Sequence, residues 1–289
     1  MEENNIPIFT KDMKKTHTIL LPMMLPIHFS FMEQILRQYG YQAKLLKTDH
    51  RNIVSEGLKN VHNDTCYPAL LVIGQLIDAL KNGGYDPDHT ALMITQTGGG
   101  CRASNYIYLL RKALKKSGFP NVPVISLNMN GLDQAPGFHL TLPMLVKFAH
   151  AIFVGDLLML LENQCRPYEK EPGSTEALVA KWQEQILTLW RGRKVVRFSK
   201  LKALFPKILR DFAALPKKEE DRVRVGIVGE IYMKYSPMGN NPLVDFLIEE
   251  GAEAVVPGLA DFCMYCICNS MQDRSLYGGK LFKSLGARF

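Results

Sequence analysis

Ala91-Leu92-Met93-Ile94-Thr95-Gln96-Thr97-Gly98-Gly99-Gly100-Cys101-Arg102-Ala103-Ser104-Asn105-Tyr106 is the stretch that decides the fold. A short apolar run stopped by glycines reads as a strand buried on both faces. Three consecutive glycines let the backbone turn sharply and come close to another group. The thiol of Cys101 is delivered at that turn, where a helical pattern opens. Strand, glycine turn and helix in this order are the repeating unit of a parallel α/β sheet.

Working outward, the same alternation recurs. His17 to Leu21 reads as a strand, Ile27 to Tyr39 as a helix, and Tyr41 to Leu46 as a second strand. Cys66 to Leu80 reads as a helix, with Asp64 or Thr65 as its cap, Pro68 in its first turn and Gly83-Gly84 at its end. Thr90 to Thr95 and Val122 to Leu127 are strands on either side of a helix from Ala103 to Ser117. Two helices follow, Leu142 to Glu162 and Ser174 to Trp190, and then a basic helical segment ending near Pro216. Past it the pattern restarts: strand Val223 to Val228, helix Leu243 to Glu250, strand Ala252 to Val256, and a helical stretch from Asp261. The expected architecture is α/β: two Rossmann-like lobes with parallel sheets flanked by helices, joined by a helical connector. The expected division is 1-140, 141-220 and 221-289.

The 289 residues are 47% hydrophobic and 22% charged, enough for a sizeable core. No uninterrupted apolar run reaches the roughly 18 residues of a membrane span, because Asp156 and Glu162 bound Leu157 to Leu161. Met1 to Lys15 is polar and lacks the apolar centre of a secretion signal. A cytoplasmic location is expected, away from membranes. Six cysteines in such a setting point to metal ligation or buried thiols rather than disulfides.

The net charge of +7 is concentrated between Arg191 and Arg224, in residues such as Lys194, Arg197, Lys200, Lys202 and Lys207. That segment reads as a solvated helical face. With no zinc-finger spacing, aromatic RNA-binding signature or basic zipper, no nucleic-acid partner is expected.

Cysteines carry most of the chemistry. In an open parallel sheet, ligands collect beyond the carboxyl ends of the strands, and Cys66, Cys101 and the Cys263, Cys266, Cys268 group all fall at strand ends or helix starts. Cys66 and Cys101 open helices, where exposed N–H groups and the helix dipole stabilise a thiolate or hydrogen-bond a cluster sulfur. Gly98, Gly99 and Gly100 can also cradle a phosphate, with Ser104 and Asn105 in the following turn as further substrate contacts. The run is neither a Walker loop nor the spaced dinucleotide fingerprint. Cys263 and Cys266 share a helix face at i, i+3, and Cys268 points elsewhere. A lone CxxC also suits a redox-active dithiol. Cys165, at the end of a helix, reads as structural. Glu230 directly follows a strand, placed either for proton transfer or to cap the next helix. Histidines are scattered with no HExxH, and no GxSxG elbow is present, which disfavours zinc and serine hydrolases.

Taken together, Asn63 to Gly74, Thr95 to Tyr106, Arg166 to Glu169, Val225 to Asn241 and Asp261 to Asn269 resemble the 2-hydroxyacyl-CoA dehydratase family. The likeness is to its dehydratase-like module associated with the ATP-dependent acyl-CoA dehydratase activator. The resemblance implies a [4Fe-4S] cluster held by three cysteines from separate segments, with one iron open to water or substrate. Carried onto this chain, the ligands are Cys66, Cys101 and Cys266, with Cys263 as the alternative to Cys266. Some relatives hold a double-cubane cluster. The resemblance implies an oxygen-sensitive protein that accepts low-potential electrons from a separate activator protein and passes them to a bound acyl-CoA or other small molecule. It also implies a homo- or heterodimer. A non-enzymatic electron carrier or scaffold for the activator is the other reading, and a small-molecule-binding α/β protein with incidental cysteines is a third.

Overall fold

The computed structural model describes residues 6–62, 64–95, 102–127, 135–192 and 194–278. In chain order its elements are α1 (Met13–Thr16), β1 (Thr18–Leu21), α2 (Pro26–Gln38), β2 (Gln42–Leu45), α3 (Asn52–Asn60), α4 (Tyr67–Asn82), β3 (Thr90–Thr95), α5 (Tyr106–Lys116) and β4 (Val124–Leu127). There follow α6 (Leu142–Cys165), α7 (Ser174–Leu189), α8 (Phe198–Lys202), α9 (Phe205–Ala213), β5 (Arg224–Gly226), α10 (Ile231–Tyr235), α11 (Pro237–Asn240), α12 (Leu243–Glu249), β6 (Glu253–Val255) and α13 (Leu259–Tyr277). The chain forms two compact units: Met1–Met23 with Gly40–His139 and Met264–Phe289, and Met24–Tyr39 with Leu140–Cys263.

The first unit is built on a four-stranded sheet flanked by helices, in the order β2-β1-β3-β4. Every pairing is parallel: Thr18 sits opposite Gln42 on one side and Thr90 on the other, and Leu92 opposite Val124. The sequence shows which strands are central. Ile19 to Leu21 and Ala91 to Ile94 are buried without a break, as strands covered on both faces must be, whereas β2 at the edge alternates exposed Gln42 and Lys44 with buried Ala43 and Leu45.

α4 is buried almost continuously from Ala69 to Leu80. Its two interior polar groups are satisfied. Gln75 donates to the Thr48 carbonyl at 2.8 Å and accepts from the Met23 N–H at 3.1 Å. Asp78 takes a hydrogen bond from Asn82 at 2.8 Å and lies 3.3 Å from His50. Its partner α3 has few apolar residues and is not evident from the sequence pattern. The two helices approach closely because Gly57 and Gly74 face each other: a Cβ on Gly74 would meet the Ile53 carbonyl oxygen and come within 3.0 Å of the Gly57 nitrogen.

In the second unit α6 packs along α2 and also meets α7, α9 and β6. β5 and β6 form a two-stranded parallel pair, Arg224 opposite Glu253 and Gly226 opposite Val255. Under them lies a small apolar cluster of Leu25, Ile227, Tyr235, Ala254 and Val256. Lys147 of α6 is 0% exposed. Its ammonium donates to the carbonyl of Trp190 at 2.6 Å and to that of Gly192, and burial lowers its pKa.

Among the described residues one segment, Leu142–Tyr168, is long and apolar enough to cross a membrane by length and composition. Lys147, Asp156 and Glu162 interrupt it, so it holds no uninterrupted apolar run of that length. Of its most apolar window, 44% is buried within the protein. The basic segment is helical at α8 and α9, with Lys200, Lys202 and Lys207 outward and Leu201, Ile208 and Phe212 inward.

Gly74→Ala sets a backbone clash against the better helix propensity of alanine, worth about 1 kcal/mol. Overpacking against a carbonyl outweighs it. The variant is expected to lose about 2 kcal/mol of stability, read as a lower urea midpoint at unchanged slope.

Candidate functional site

Cys66 is itself the N-cap of α4, displacing the expected Asp64 or Thr65, and no side chain caps the helix. Pro68 stands in the first turn, and the Ala69 and Leu70 N–H groups close on the Cys66 carbonyl at 3.0 and 3.3 Å. The backbone at Cys66 is non-helical (φ −58°, ψ 144°), and its thiol makes no hydrogen bond to the helix N–H groups. The thiol is half-buried and lies 3.1 Å from the Tyr106 hydroxyl. Tyr106 begins α5, five residues after Cys101. The structure therefore brings the start of α4 against the start of the helix that follows the glycine–cysteine run.

Cys101, with Gly98, Gly99 and Gly100, lies outside the described residues. Ser104 and Asn105 belong to a 3-10 turn over Arg102–Asn105, Ser104 half-buried and Asn105 exposed. Cys263 and Cys266 are half-buried on α13, and Cys268 is exposed. Among the described residues no group of three or more His, Cys, Asp and Glu side chains converges closely enough to hold a metal ion. Cys165 is buried, its thiol 3.9 Å from the Phe212 carbonyl, and burial raises its pKa. Glu230 caps α10, accepting from the Tyr232 and Met233 N–H groups at 2.9 and 3.1 Å.

The start of α13 is held by a group that sequence reasoning missed. Asp156, in the middle of α6, accepts from the Leu259 and Ala260 N–H groups at 2.7 Å each. His28 Nε2 meets the same carboxylate at 2.9 Å. Two glycines make room: a Cβ on Gly155 would come within 2.5 Å of the His28 ring, and one on Gly258 within 2.7 Å of the Asp156 carboxylate. An aspartate after glycine in an apolar helix, and a glycine just before the cysteine helix, are the signals that pointed there.

Beside it lies a cavity of about 220 Å³ between α2, α6, α10, α11 and α12. Leu25, Ile27, Met159, Val244 and Val256 form apolar wall, and Glu162, Asn163 and Lys234 contribute polar groups. Burial pushes the Glu162 carboxyl up to about 7, against the pull of Arg166, and Glu176, Asp245 and Glu169 add to the push. Burial lowers the Lys234 ammonium, opposed by Asp261 and Asp156. The Tyr235 phenol donates to the Pro257 carbonyl at 2.7 Å, and burial first, then Asp156, Asp261 and Cys263, hold it above its ordinary value.

No protein-family model, no curated protein sequence and no solved structure matches the chain.

Removing the Asp156 carboxylate orphans His28 and the first N–H groups of α13. Asp156→Ala is expected to cost about 3 kcal/mol, with faster amide exchange at Leu259 and Ala260. A separate effect is expected at Glu162, whose folded pKa lies above its unfolded value. The stability it contributes is fully present below pH 4.5 and is lost as pH rises through about 7. Glu162→Gln cannot ionise, so it is expected to gain about 2 kcal/mol on the wild type between pH 5 and pH 8, measured by urea unfolding at both.

Proposed function

We propose that this chain is an iron–sulfur protein of the 2-hydroxyacyl-CoA dehydratase type, made of two Rossmann-like lobes. In this reading it is cytoplasmic and receives low-potential electrons from an ATP-dependent activator protein for a bound acyl-CoA or similar substrate. The observation that carries the reading is the 3.1 Å approach of the Cys66 thiol to the Tyr106 hydroxyl. It joins two cysteine-bearing segments 40 residues apart at neighbouring helix starts, the arrangement a ligand set drawn from separate segments requires.

Cys66, Cys101 and Cys266 are the proposed ligands of a [4Fe-4S] cluster, with Cys263 as the alternative third. Thiolates are the donors such a cluster takes, and the half-burial of Cys66 and Cys266 suits a group shielded from oxygen yet reachable by a partner. When bound, the cluster supplies one-electron chemistry at low potential. The chain's own part is to hold the thiols, to offer the Tyr106 hydroxyl as a hydrogen-bond donor toward the Cys66 sulfur, and to limit water. Six cysteines allow a double-cubane cluster by count, but the burial of Cys165 against Phe212 favours the single cubane. Glu230, with its carboxylate engaged by two backbone N–H groups, is better suited to ordering the loop after β5 than to moving protons.

Anaerobic purification with iron and sulfide analysis and EPR tests this reading. About four irons per chain are expected, lost in Cys66→Ala, Cys101→Ala and Cys266→Ala and kept in Cys165→Ala. Protein that stays iron-free after reconstitution would sink the proposal. About eight irons would replace the single cubane by the double one.

A further inference from the structure

We propose that the cavity beside α6 is a binding site for a small molecule with an apolar body and an ammonium head, seated on Glu162 and Asn163. The cavity lies wholly within the second unit and does not rest on the cluster reading.

Three observations converge. The first is size and lining. An apolar cavity of roughly 150 Å³ takes up benzene, so about 220 Å³ walled by Leu25, Ile27, Met159, Val244 and Val256 has room for a ring or short chain plus a polar head.

The second is unmet hydrogen bonding. Asn163 is 6% exposed and lines the cavity, and among the described residues its side-chain amide has no hydrogen-bond partner. The Glu162 carboxyl beside it receives no hydrogen bond from the described residues either. A carboxyl next to an amide, both lining one cavity, ask for a ligand that donates. Asn240, by contrast, is used up, donating to the Lys234 carbonyl at 3.3 Å and accepting from the Leu243 N–H at 3.1 Å.

The third is charge. Arg166 also lines the cavity and pulls on Glu162, but it is drawn to Asp245 at 2.6 Å and Glu176 at 3.5 Å. Glu169 adds a further negative charge around Glu162. Lys234 stands over the Tyr235 ring at 4.3 Å and is balanced by Asp156 and Asp261. His28 faces Asp156. Once Glu162 ionises, the Glu162 end of the cavity is short of positive charge, and an ammonium supplies both the charge and the donors.

Phenethylamine is a suitable probe because its amine stays protonated, like that of lysine, at pH 6 and pH 8. Calorimetric titration of the full chain is expected to show binding about tenfold tighter at pH 8 than at pH 6, following the ionisation of Glu162 near 7. Phenylacetate, of similar size and opposite charge, is expected to bind far more weakly. Glu162→Gln should abolish the pH dependence and weaken phenethylamine, and Val244→Phe, which adds bulk to the cavity lining, should weaken it at every pH. The proposal is overturned if phenylacetate binds as well as the amine, if Glu162→Gln leaves the pH dependence intact, or if neither probe binds. Iron content measured on the same variants is expected to be unchanged, which separates this site from the cluster.

Discussion

A single carboxylate organises the second unit. Asp156 sits inside an apolar helix, where an unpaired charge would cost several kcal/mol. It is tolerated because three donors face it: the His28 ring and the N–H groups of Leu259 and Ala260. Each partner gains in return. His28 is fixed in orientation, with its Nε2 as the donating nitrogen, and α13 acquires at its N-terminus the anion that a helix dipole favours. α13 carries Cys263 near its start, so the placement of one candidate ligand depends on a residue roughly a hundred positions earlier in the chain. Gly155 and Gly258 are part of the same constraint, since a side chain at either would separate the partners.

Much of the first unit was legible in the sequence. The unbroken apolar run at β3 and the alternation in β2 follow directly from whether a strand is covered on one face or two. The cysteine at the start of α4 was also legible, since Pro68 marks a first helical turn. The cap was misassigned for a simple reason: Asp64 and Thr65 have better capping side chains, but Pro68 sets the first turn one residue later and leaves the boundary at Cys66.

What the pattern could not convey was long-range pairing of polar groups. Glu162 and Asn163 look like the polar end of an apolar helix, and Asp156 looks like an interruption. Their meaning depends on residues far away in sequence, which periodicity does not encode. α3 was silent for a related reason. Its packing rests on absent side chains, Gly57 against Gly74, and local propensity counts those glycines as weaknesses. Glu230 was open to two readings, proton transfer or capping, and in the structure its carboxylate caps α10 through two backbone N–H groups.

Lys147 has a consequence for how this chain can vary among descendants. Its ammonium is fully enclosed and is satisfied by the carbonyls of Trp190 and Gly192, just past the end of α7. The turn from 190 to 192 and the lysine therefore form one inherited piece. An insertion or deletion in that turn would withdraw a carbonyl from an interior cation, and losing the lysine would leave two carbonyls unmet. Either change alone is a step downhill in fitness, so the lysine and the length of the turn should be gained and lost together.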